Sequence, residues 1–98
     1  MNVVQEILIE EGYSSSKDLV RDISLLFALQ KIEQYRSEGE FFEKKYSMTL
    51  KKFDKVLHKE KGMEDFEKEE DLADWGFATH ALEWWQKKVK ELQSDQAL

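Results

Sequence analysis

The 98-residue chain contains no cysteine, no proline, four glycines and two histidines. Without cysteine there is no disulfide framework, no thiolate nucleophile and no cysteine-based zinc site. Without proline, helices can run long and unbroken. The glycines at 12, 39, 62 and 76 stand singly, so no glycine-rich loop is offered to a phosphate. No apolar run reaches the length of a membrane span or of a secretory leader, which makes a cytoplasmic protein the expectation. The net charge of −6 speaks against general attraction to nucleic acid or to an anionic membrane.

What the chain does have is charge (37%) and apolar residues (41%) in the proportions of a helical protein with a wet surface. Its length points to one domain over residues 1–98, with a core that is either compact or shared with a partner. The charge is blocked along the chain. Residues 44–61 hold seven basic and two acidic side chains, and residues 62–74 hold one basic and seven acidic. Adjacent blocks of opposite sign are expected to attract each other or to cap helices.

Apolar spacing predicts an all-α fold: a short N-terminal helix over about 2–11, then a long antiparallel helical hairpin from helices over about 15–46 and 65–93, with a short connecting helix over about 49–59. The first segment places Val4, Ile7 and Leu8 on one face and ends at Gly12. Ser14, Ser15 and Ser16 offer hydroxyls to cap the next helix, and Asp18 suits the positive end of its dipole. An apolar stripe starts at Leu19, Ile23, Leu26 and Phe27. A seam then runs through Leu25, Ala28, Ile32, Tyr35, Gly39, Phe42 and Tyr46 with alternating steps of three and four. Gly39 lies in that seam, which suggests either close approach of another helix or a local kink. Thr49 can cap the short helix, whose buried face is Leu50, Phe53 and Leu57, and Gly62 is its expected stop. In the last helix Trp75, Ala78, Leu82, Trp85, Val89 and Leu92 form a matching seam, interrupted in propensity by Gly76.

That last helix has more apolar surface than one seam needs. Ala73, Phe77, Ala81 and Trp84 form a second stripe, turned by about 100° because Trp84 and Trp85 are adjacent. Either residues 2–11 or 49–59 cover it, or it is a partner surface. Aromatic clusters of this kind anchor protein interfaces, so Phe77, His80, Ala81 and Trp84 are the candidate partner-binding residues. A homodimer through helix contacts that include Phe77 and Trp84 is expected in the absence of another partner, with Leu26 and Phe27 of the first long helix left on the surface beside them.

Signals for chemistry are poor, and no enzyme, cofactor or metal is expected. His58 sits among lysines at the end of the short helix. His80 lies three residues after Phe77 and four before Trp84, where packing or hydrogen bonding is the commoner role. No catalytic triad can be assembled from this set. The acidic run Glu64, Asp65, Glu67, Glu69, Glu70, Asp71 and Asp74 supplies oxygen ligands but lacks the glycine and spacing of a calcium loop. It reads better as the first turns of a helix. Lys51, Lys52, Lys55 and Lys59 make a basic face without the interleaved aromatics that single-stranded nucleic acid requires.

Two resemblances bear on function. The stretch "EGYSSSKDLVRDI", Glu11 to Ile23, resembles the helix-turn-helix half of ribbon-helix-helix antitoxins and repressors. Such proteins read DNA through an N-terminal strand, for which the residues before the first helix leave no room. DNA binding without a partner is therefore not expected, and an autoregulator of that type is the alternative, together with a helical structural or adaptor protein. "LLFALQKIEQY", "FFEKKYSMTLKKFDKVL" and "EKEEDLADWGFATHALEWWQKKVKEL" resemble a group of short acidic antitoxins of prokaryotic type II toxin–antitoxin pairs. That resemblance implies no catalysis and a cognate protein toxin as partner, often a ribonuclease. No functional residue is carried over from it.

Overall fold

The computed structural model describes residues 2–59 and 65–94. Among them are four helices, α1 (Val3–Glu10), α2 (Ser16–Tyr46), α3 (Leu50–Lys59) and α4 (Phe66–Leu92), so the all-α fold and its long helical hairpin are as the apolar spacing predicts. The expected bounds differ from these by little more than the cap residues.

Each helix begins where a side chain can accept from its free amides. Asn2 and Gln5 form a reciprocal capping box at α1. Ser15 accepts from the Asp18 amide at α2, Thr49 from that of Lys52 at α3, and Asp65 from that of Lys68 at α4. α1 stops at Gly12, which takes φ +78. Beside it the Tyr13 amide donates to the Leu8 carbonyl at 2.8 Å and the Gly12 amide to that of Ile9 at 3.2 Å, the paired bonds of a Schellman stop. α2 stops at Ser47, a non-glycine residue in the left-handed region (φ 52, ψ 39). The expected stop at Gly62 lies outside the described residues.

α2 and α4 pack side by side and antiparallel. Arg21 Nε donates to the Leu92 carbonyl at one end, Phe27 meets Trp85 and Tyr35 meets Phe77 along the way, and Phe42 stacks on Trp75 near the other. Every residue of the two seams is buried or half-buried. Neither glycine in the long helices matches the reason suggested for Gly39. Helix runs without a break through both Gly39 and Gly76, and a Cβ built on either meets nothing within 4 Å. Gly39 is thus no point of close approach.

The centre of the core lies at the turn end of the hairpin. Phe53 of α3 packs against both Tyr46 and Trp75, with ring centroids 4.1 and 5.7 Å away. Leu50, Leu57, Leu72 and Met48 surround the cluster of Phe42, Phe53 and Trp75. The oppositely charged blocks meet here. Lys45 Nζ donates to Glu67 at 2.9 Å and to Asp71 at 2.6 Å, and the Tyr46 hydroxyl donates to the same Asp71 carboxylate. Lys45 and then Tyr46 hold the Asp71 carboxyl below the usual carboxylate range. Burial, then the bond to Asp71, pushes the Tyr46 phenol up to about 12. The molecule is long and thin, 67 × 25 × 19 Å, with a radius of gyration of 19.9 Å against about 13 Å for a compact chain of this length.

Candidate functional site

α3 covers only one side of the hairpin. It packs on the flank of α4 that carries Leu72 and Gly76. α1 touches α2 near its start and buries no residue of its own; Val3, Val4, Ile7 and Ile9 are exposed. Neither short helix covers the second stripe of α4. Phe77 is 64% exposed and Trp84 52%.

That stripe continues onto α2. Phe27 reaches Trp85, against which Trp84 stands edge-on at 4.9 Å. Phe77 and Phe41 share a shallow groove with Ser37, Glu38, Phe42 and Asp74. Phe27 and Phe41 are themselves 51% and 60% exposed. Four aromatic side chains therefore stand open on one face of the hairpin, the face away from α3. Phe27 and Phe41 are 14 residues apart on α2, which sets the length of the strip at about 21 Å. Lys31 Nζ lies over the Phe27 ring at 5.4 Å and Lys88 Nζ over Trp84 at 5.0 Å, so two cations frame one end.

Of the residues expected to bind a partner, Phe77, Ala81 and Trp84 lie along this face. His80 does not join them. It sits about 60° further round α4 and lines a separate depression on the α3 side with Leu50, Lys51, Asp54, Leu72 and Gly76. Phe27 and Phe41 complete the strip. Phe27 is expected on this surface from the sequence, together with Leu26, which is also exposed; Phe41, adjacent to the seam residue Phe42, gives no separate signal.

The groups that could carry chemistry are dispersed. His58 is exposed, its Nδ1 2.8 Å from the Asp54 carbonyl one turn back. Lys51, Lys52, Lys55 and Lys59 are exposed. Within the acidic run, Asp65 caps α4 and Glu67 and Asp71 bind Lys45, while Glu64 lies outside the described residues. Among the described residues no three His, Cys, Asp or Glu side chains are grouped to hold a metal ion, and no helix is long and apolar enough to cross a membrane. The segment from Glu11 to Ile23 forms the stop of α1 and the capped start of α2. No protein-family model matches the chain, and no curated protein or solved structure matches it either.

Proposed function

We propose that the protein acts by binding another protein through the aromatic face of its hairpin and performs no chemistry of its own. The observation that carries this reading is the set of four half-exposed rings on the side of the hairpin that α3 leaves open. Water-exposed aromatic side chains gathered in one strip are the usual anchors of an interface. Each buries roughly 150–250 Å² when fully covered. The resemblance to type II antitoxins names the partner class: a cognate toxin, a small ribonuclease among the candidates, whose active surface the hairpin masks. In the absence of that partner the same face supports self-association.

Co-expression with the product of the adjacent gene tests the proposal. The two proteins should co-purify, and the toxicity of the neighbour should be relieved. Trp84→Glu and Phe77→Glu, both on the surface and away from the core, should abolish both effects while leaving the helical circular dichroism intact. If the neighbour is neither bound nor counteracted by the unmodified chain, the antitoxin reading fails.

A further inference from the structure

The residues along the exposed face have an internal symmetry. On α4 the stripe reads Asp74, Phe77, Ala81, Trp84, Lys88, with steps of three, four, three and four. Asp74 and Lys88 lie seven residues on either side of Ala81, about 10 Å each way. Phe77 and Trp84 flank the same point. The sequence of types is thus acid, aromatic, small, aromatic, base. Turning it end for end leaves the aromatics in place and exchanges the charges. On α2 the same face reads Phe27, Lys31, Gln34, Glu38, Phe41, which behaves likewise about Gln34 with the charges exchanged. The ring pairs Phe27–Trp85 and Tyr35–Phe77 set the register between the helices. They place Gln34 and Ala81 level to within about one helical turn.

We infer that a second copy of the chain closes this face, with the two-fold axis crossing the hairpin at Ala81, so that α4 packs antiparallel on its mate and Asp74 of each copy meets Lys88 of the other. This rests on the reading of the face as an interface and fixes its occupant in the free protein. A two-fold contact requires that if one residue meets a second, the second meets the first, and both stripes satisfy that condition. Ala81, at the crossing, lets the helix axes approach. Phe77 packs against the mate's Trp84, and Phe27 against the mate's Phe41. The four charged residues of the two stripes sum to zero although the chain carries −6, so the face is matched to its own copy rather than to a strongly basic surface. Among the described residues neither Asp74 nor Lys31 has an ion-pair partner within the chain. The half-exposed rings alone offer roughly 350–550 Å² per copy, more than half of the roughly 800 Å² per partner of a standard interface, and the polar residues between them add to it.

Sedimentation of the full chain between about 1 and 100 µM tests the arrangement. The unmodified protein should be dimeric in the upper part of that range. Asp74→Lys and Lys88→Glu place like charges opposite each other twice per dimer, and each should weaken association about tenfold or more. An equimolar mixture of the two variants should recover the dimer as a heterodimer, since both charge pairs are then opposite, and the double variant D74K/K88E should recover it alone. Because the chain has no cysteine, Ala81→Cys should oxidise to a linked dimer. Ala73→Cys should not, since its symmetry mate lies about 24 Å away along the axis and disulfides need Cα atoms within about 7 Å. A monomeric wild type, single variants that dimerise unchanged, a mixture that stays monomeric, or equal cross-linking at 73 and 81 would each overturn the inference. Failure here leaves toxin binding to be judged by co-purification. Success here together with absent co-purification overturns only the antitoxin reading.

Discussion

Gly39 and Gly76 sit inside long helices, and neither position uses the freedom a glycine provides. Both lie in unbroken helix, and an added Cβ at either meets no atom within 4 Å. Glycine in a helix interior costs about 1 kcal/mol relative to alanine, mostly through the conformational freedom of the unfolded chain. Gly39→Ala and Gly76→Ala should therefore each stabilise the fold by about 1 kcal/mol, and together by about 2 kcal/mol. For a domain of this size each kcal/mol raises Tm by roughly 4–8 °C, so the pair should add roughly 8–16 °C. Urea and thermal unfolding followed by circular dichroism at one fixed protein concentration measures this, since association would otherwise shift the midpoint. The urea dependence should keep its slope, because the surface exposed on unfolding hardly changes. A neutral or destabilising result at Gly39 would refute the reasoning. It would mean that the seam closes more tightly there than the open space around the backbone allows.

Phe53→Ala removes the one buried side chain that α3 inserts into the core and should cost about 3–5 kcal/mol, read as a lower urea midpoint with changed tryptophan fluorescence from Trp75. Ser47→Gly relieves the left-handed residue that ends α2 and should stabilise by about 1 kcal/mol in the same assay. Asp71 is held below its unfolded value of about 3.9, chiefly by Lys45. Its contribution is complete above about pH 4 and is lost as pH falls through the folded value, so Asp71→Asn should flatten the acid limb of the stability profile. Tyr46, raised to about 12 by burial and by Asp71 from an unfolded value of about 10, contributes fully below about pH 10. That contribution fades as pH rises toward its folded value, and Tyr46→Phe should remove the dependence. A profile unchanged by either substitution would show that the Asp71 contacts do not form in solution.

The helices and both seams could be read from the chain because α2 and α4 repeat apolar residues every three and four positions over many turns, and the absence of proline let them run. Thr49 and Ser15 announced their caps by residue type. Asn2 and Asp65 do the same job; of these, Asp65 is legible only as part of the acidic run at the first turns of the last helix. The pairing of Lys45 and Tyr46 with Asp71 spans more than twenty residues, and no local pattern encodes it beyond the opposed charge blocks. Whether α1 or α3 covered the stripe of Phe77 and Trp84 depended on where short helices dock, which spacing leaves open. His80 lies three residues after Phe77 and four before Trp84, which puts it at the edge of that stripe; the docking of α3 beside it, which spacing does not encode, makes it line the depression with Leu50 and Asp54 instead. The exchange symmetry of Asp74 and Lys88 about Ala81 was present in the sequence all along. It acquired meaning only once that face proved to be uncovered.

The core cluster sits at one end of a 67 Å molecule, and this has a mechanical consequence. From Ala28 toward the start of α2, and from Ala78 toward the end of α4, no further side chain is buried. The hairpin is thus a pair of prongs clamped at the base, with Phe53 as the wedge and the Arg21–Leu92 bond as a light catch at the tips. Beyond that catch the tips are joined by half-buried side chains, Leu25, Leu82, Trp85, Val89 and Leu92, so they should open at a lower cost than the base. Backbone amides near Phe42 and Ala78 should exchange with solvent only when the whole chain unfolds, while those near Ile23 and Val89 should exchange through local fraying of the helix ends. The start of α2 and the end of α4 should therefore be the first parts of the hairpin to loosen, while the turn end keeps its shape.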